Sequence, residues 1–101
     1  MKIVTLCGSD RFAREMAQAA EQMALAGYCV ITPITLTRPD RDAYTPEEIG
    51  MLGRMHLEKI RLSDAILVMN VGGYIGHSTA REIAYAKELG KEIRYYSELI
   101  S

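Results

Sequence analysis

Two apolar runs that each stop at a glycine most constrain how this chain can fold. Lys2–Cys7 (KIVTLC) ends at Gly8, and Ala65–Val71 (AILVMNV) ends at Gly72. Unbroken apolar residues, without polar alternation, mark strands covered on both faces, as in a parallel sheet. Elsewhere the spacing turns helical. Phe12, Met16, Ala19, Ala20 and Met23 fall on one helical face, and Gly27 follows where a helix C′ glycine belongs. Tyr28–Thr32 (YCVIT) reads as a second strand, closed by Pro33. Thr45-Pro46-Glu47-Glu48 opens a helix: Thr as N-cap, Pro in the first turn, Glu three residues after the Thr. That helix runs to about Ser63, with Ile49, Leu52, His56 and Ile60 along one face. A glycine-rich turn, Gly72–Ser78, leads to a helix from about Thr79 to Leu89, stopped by Gly90. Glu92–Tyr96 forms a short last strand and Ser97–Ser101 a helical turn. Residues 34–44 keep no period and contain Pro39, Asp40 and Asp42, the pattern of a loop or flap.

Strands alternating with helices imply a parallel sheet with right-handed crossovers. The two most apolar strands, first and third, belong at its centre. The expected architecture is a three-layer α/β domain over residues 1–101, Rossmann-like or flavodoxin-like, with strand order 2-1-3-4 and helices on both faces. Ligands in such sheets bind beyond the carboxyl ends of the strands where the winding reverses. Those ends are Cys7-Gly8 and Asn70-Gly72, so both glycine-rich segments fall at the expected site.

The composition narrows the partners. With 12 basic and 13 acidic residues the net charge is −1, which argues against a polynucleotide, whose backbone calls for a basic patch. A single nucleotide or nucleoside remains compatible. No apolar stretch approaches the ~20 residues of a membrane span, and the amino-terminal run is too short for a signal peptide. Cys7 and Cys29 sit at opposite ends of adjacent strands, beyond the ~7 Å reach of a disulfide, so both read as reduced thiols of a cytoplasmic protein. The sequence holds no Cys/His cluster at metal-ligand spacing and no Walker A motif, so neither metal nor cofactor is expected. A chain of 101 residues exposes much of its surface, and a self-associating face, giving a homodimer or larger oligomer, is expected.

Each candidate site residue has a functional and a structural reading. Cys7, at the end of the first strand, and Gly8, Ser9, Asp10 and Arg11, which open the first helix, form one candidate substrate-binding segment. Backbone N–H groups there seat an anion, Ser9 and Arg11 clamp a phosphate, and Asp10 accepts from a sugar hydroxyl. Equally, Gly8 serves the turn, Ser9 or Asp10 caps the helix, and Arg11 is solvated. In Gly72-Gly73-Tyr74-Ile75-Gly76-His77-Ser78-Thr79-Ala80-Arg81-Glu82 the glycines, with Gly73, Tyr74 and Gly76 nearest the crevice, let backbone approach a ligand, and Ser78 and Thr79 offer hydroxyls. Glu82, one turn into the helix, is a carboxylate able to attack an anomeric carbon or steady an oxocarbenium ion. Thr79-x-x-Glu82 is also a capping box, which would make Glu82 a backbone acceptor. Asn70 interrupts an apolar strand end and needs a partner, either ligand or neighbouring loop. His56 is either a satisfied core or interface residue or a catalytic one. Asp64, at the opposite end of its strand, reads as structural.

The combination of CGS and Arg11 after the first strand, SDAILVMN as the third strand and GYIGHSTAREIAYAKELGK resembles the nucleoside 2-deoxyribosyltransferase superfamily. The resemblance runs from Ile3 to about Tyr95 and is greatest to the short bacterial and phage members and to the deoxynucleoside 5′-monophosphate N-glycosidases. The spacing Gly72-Gly73, Gly76, Thr79, Glu82 also echoes the GG-x-G-T-x-x-E pattern of the cytokinin-activating nucleotide phosphoribohydrolases. The resemblance implies cleavage of an N-glycosidic bond in a nucleoside or nucleoside 5′-monophosphate, with Glu82 as nucleophile. It implies that Gly8, Ser9, Arg11, Gly76, Ser78 and Thr79 hold sugar and phosphate, and that the protein is oligomeric. Where the family carries a carboxylate on the helix before the third strand, this sequence has His56, whose imidazole can act as a general acid. The alternative is a non-catalytic sensor for a nucleotide-derived ligand.

Overall fold

The computed structural model describes residues 1–100. Its central element is a four-stranded parallel sheet in the order β2-β1-β3-β4, formed by β1 (Ile3–Cys7), β2 (Cys29–Ile31), β3 (Ala65–Val68) and β4 (Glu92–Tyr95). Val4 pairs with Ala65 and Cys7 with Val68, so β1 and β3 end level with one another. Ile3 pairs with Cys29, which leaves the two free cysteines at opposite ends of neighbouring strands.

Alternation along β1 divides the core into two layers. Val4 and Leu6, with Ala65, Leu67 and Met69, pack against Met16, Ala19 and Met23 of α1 (Ala13–Leu25). Cys7, Ile66 and Val68 face the other way, onto Ile60 of α2 (Pro46–Leu62) and Ile83 and Ala86 of α3 (His77–Glu88). Thr5 shares that second face, where its hydroxyl lies 2.5 Å from that of Ser63 and 3.2 Å from the Lys59 carbonyl. A short α4 (Tyr96–Leu99) closes the first layer. Helices therefore cover both faces of the sheet, as the alternation of elements requires.

Local signals govern most boundaries. Thr45 and Glu48 form the reciprocal capping box, with Glu48 N–H donating to Thr45 Oγ1 at 3.1 Å and Thr45 N–H to Glu48 Oε1 at 2.9 Å. Gly27 and Gly90 follow α1 and α3 at φ 100° and 71°. Asp64 ties down the amino ends of the strands, accepting from Ile3 N–H at 2.8 Å through its carboxylate.

Four details depart from expectation. First, β3 stops at Val68, because its partner β1 ends at Cys7 and no neighbour extends the ladder. Residues 71–73 then coil into a 3-10 turn through Gly72 and Gly73, at φ 62° and 82°. Second, α3 begins at His77, not Thr79, with Gly76 as an extended N-cap. Thr79 is consequently inside the helix and cannot form a capping box with Glu82. Third, Phe12 precedes α1 and turns edge-on to Tyr74, ring centroids 5.8 Å apart, instead of joining the apolar face of the helix. Fourth, β4 ends at Tyr95, where the chain turns directly into α4; Ser101, the end of the helical turn expected over 97–101, lies outside the described residues.

Candidate active site

A cavity of about 360 Å³ opens beyond the carboxyl ends of β1 and β3, the place where the chain winds in opposite directions from the sheet centre. Gly8, Ser9 and Asp10 form one wall, and Tyr74, Gly76, Ser78, Thr79 and Glu82 another. Ile49, Leu52 and His56, successive turns of α2, supply the third. The fourth is the segment between β2 and α2. Pro33, Ile34, Leu36 and Arg41 come from it. Arg38 pins that segment to the start of α2 by donating to the Ala43 carbonyl at 2.9 Å and pairing with Glu48 at 3.1 Å, its guanidinium 4.6 Å from the Tyr44 ring centroid.

Several expected site residues have jobs in the fold itself. A Cβ on Gly8 would stand 2.6 Å from Met69 Cβ, so the glycine is required by the contact between β1 and the segment after β3. Ser9 caps the 3-10 turn that follows, accepting from Arg11 N–H at 3.3 Å, while still lining the cavity. Arg11 stacks over Tyr74, 4.1 Å from the ring centroid, and is outside the cavity wall. Asn70 is turned away from it: its side-chain amide donates to Ser97 Oγ at 3.1 Å and accepts from Ser97 N–H at 3.0 Å. Gly73 likewise serves the turn. Arg41, Lys59, His77 and Arg81 also line the cavity: Arg41 and Lys59 belong to no motif, and His77 and Arg81 lie within the Gly72–Glu82 segment without having been given a role.

At the floor the fold brings together Cys7, His56 and Glu82. His56 Nε2 lies 3.4 Å from Cys7 Sγ and 3.8 Å from Glu82 Oε1, and donor atoms of all three fall within 4.8 Å of one another. Cys7 faces this way because of the pleat of β1, and His56 and Glu82 because α2 and α3 pack side by side on that face of the sheet. These three are the described residues that could together hold a metal ion, a grouping that sequence spacing does not reveal.

Burial governs their ionisation. Glu82, its side chain 17% exposed, has its carboxyl pushed up to about 7 by desolvation, against which the Cys7 hydrogen bond and the Arg81 charge pull downward. Desolvation thus outweighs the helix dipole, which near the amino end of α3 favours the ionised form. His56 is lowered to about 4, first by burial and then by the Lys59 charge, with a Leu6 backbone hydrogen bond acting the other way. Only about a thousandth of such an imidazole is protonated at pH 7. The 3.8 Å contact with Glu82 therefore joins a neutral ring to a carboxyl group and is no ion pair at neutral pH. Burial, with the neighbouring Glu82 charge, also drives the Cys7 thiol well above its ordinary value.

Sheet order, two helical layers and a cavity at the reversal of winding together define a doubly wound α/β fold with a ligand crevice. The fold matches that of a 2-deoxyribosyltransferase from the psychrotolerant bacterium Bacillus psychrosaccharolyticus, with a TM-score of 0.70 and 18% identity over 92% of this chain and 70% of that one. No protein-family model matches the sequence, and no curated protein matches it. Among the described residues no helix is long and apolar enough to cross a membrane.

Proposed function

We propose that the cavity binds a nucleoside or nucleoside 5′-monophosphate and that Glu82 cleaves its N-glycosidic bond, by hydrolysis or by 2-deoxyribosyl transfer. The observation that carries this reading is a partly ionised carboxylate on the floor of a crevice otherwise rich in cations. Asp10 and Glu82 are the acidic residues of the lining, against Arg41, Lys59 and Arg81. The amino end of α3, which no side chain caps, adds its backbone N–H groups at His77, Ser78 and Thr79. Such a surface suits a phosphate, and apolar Ile34, Leu36, Ile49 and Leu52 suit a base. The transferase with the matching fold, a biocatalyst for nucleoside synthesis, gives the same direction.

In this mechanism an ionised Glu82 oxygen attacks C1′ as the bond from C1′ to the base nitrogen breaks. The base leaves with the bonding pair and takes a proton from solvent. Water, or a second base, then attacks C1′ and displaces the Glu82 carboxylate, the attacking water or base nitrogen giving up a proton to solvent as it does so. Ser9, Ser78 and Thr79 hold sugar and phosphate. His56 acts as a positioning residue beside Glu82, and Asp10 accepts from a sugar hydroxyl.

Chromatography of free base from a panel of ribo- and deoxyribonucleosides and their monophosphates, with and without an acceptor base, tests the reading. Wild type releases base, and Glu82→Gln falls by about three orders of magnitude or more, as for loss of a nucleophile. Full turnover in Glu82→Gln sinks it. The half-protonated Glu82 and neutral His56 also favour a second reading, a binding module for the same ligands. That reading expects calorimetric binding of a nucleotide with no base released by wild type.

A further inference from the structure

We propose that Cys7 Sγ, His56 Nε2 and a Glu82 carboxylate oxygen form a binding site for a divalent cation of the zinc class, open on its fourth side to the cavity. The three donors come from the end of β1, a buried turn of α2 and the second turn of α3, so each is carried on a regular element. Tetrahedral zinc, with bonds of about 2.0–2.3 Å, sets its donors about 3.3–3.6 Å apart. Here sulfur and nitrogen are 3.4 Å apart and nitrogen and oxygen 3.8 Å, with every pair inside 4.8 Å. The Glu82 oxygen must move toward His56 and Cys7 to complete the arrangement.

The chemistry of the donors selects the ion. One sulfur, one imidazole and one carboxylate suit zinc or cobalt and discriminate against magnesium and calcium, which take oxygen. A thiolate and a carboxylate carry two negative charges, which cancel those of a divalent ion in a buried place. Cys7 lies behind the cavity wall while His56 and Glu82 form part of it, so the remaining coordination position faces the cavity and takes water or an anionic ligand.

The site stands on this geometry alone, and its effect on turnover rests on the proposed function. An ion bound here engages the same Glu82 oxygen that would attack C1′, so zinc and glycosyl transfer exclude one another.

The test uses full-length protein carrying Cys29→Ser, which removes the exposed thiol, stripped with a chelator and desalted. Titration with Zn²⁺ by calorimetry is expected to show one ion per chain. Titration with Co²⁺ is expected to give a thiolate-to-cobalt charge-transfer band in the near ultraviolet and the visible spectrum of a four-coordinate ion. Cys7→Ser and His56→Gln each weaken Zn²⁺ by more than about 100-fold, beyond what loss of an outer contact costs. If Cys7→Ser fails to fold, Glu82→Gln, which keeps shape and hydrogen bonding, is held to the same loss. No binding, no charge-transfer band, or unchanged affinity in the folded variants overturns the site. Base release by the chelated protein reports on the glycosyl reading, and the cobalt spectrum on the metal site, so either can fall without the other.

Discussion

Glu82→Gln should stabilise this protein, and by an amount that grows with pH. Desolvation holds the Glu82 carboxyl at about 7 in the folded chain, against an ordinary value of 4.5. The unfolded chain therefore gives up this proton first as pH rises. Stability is lost progressively from about pH 4.5, and the loss is complete once pH passes the folded value. At about 1.4 kcal/mol per pH unit, the interval from 4.5 to about 7 comes to about 3 kcal/mol. Glutamine has the same shape, offers a carbonyl to the Cys7 thiol, and carries no charge to desolvate. In urea denaturation followed by circular dichroism, with chelator present, wild type and Glu82→Gln should be closely matched at pH 4.5. At pH 8 the variant should be more stable by about 3 kcal/mol, a large share of the ~5–15 kcal/mol typical of a whole domain. A difference that stays flat between pH 4.5 and 8, or a variant weaker than wild type at pH 8, would refute the argument that Glu82 is held in a desolvated place.

The other expectations follow from the same site and its supports. His56 has the opposite sign: its folded value of about 4 lies below the ordinary 6.5, so its own contribution to stability falls by up to about 3 kcal/mol between pH 6.5 and 4, opposing the Glu82 gain in wild type. His56→Gln, denatured in urea across that interval, should escape this loss. Base release by the chelated enzyme should rise with pH through about 7 as Glu82 ionises, and a pH–rate profile flat from pH 5 to 8 would contradict the nucleophile assignment. Gly8→Ala places a Cβ 2.6 Å from Met69 Cβ and should cost about 1–3 kcal/mol in the same denaturation assay. Thr45→Ala removes the α2 cap for about 1 kcal/mol and should speed proteolysis of residues 33–44, which Arg38 anchors to Glu48 of that cap.

The order of the elements and many of their ends were legible in the amino-acid sequence. Apolar runs at β1 and β3, helical spacing in α1 and α2, the Thr45–Glu48 box and Gly27 and Gly90 are local signals, and local physics is enough to act on them. Central placement of the two most apolar strands then yielded the 2-1-3-4 sheet and, through the reversal of winding, the end of the sheet where the cavity lies. Contacts between residues distant in the chain were not legible there and came from the packing. Cys7 and His56 stand 49 residues apart and meet because β1 and α2 pack face to face. The start of α3 at His77 depends on how the turn leaves β3, and that shift by itself frees Glu82 from a capping role. The partnership of Asn70 with Ser97 depends on where α4 folds back. The ionisation of Glu82 and His56 depends on burial, which no spacing encodes, since desolvation is a property of everything packed around a group and not of its neighbours in the chain.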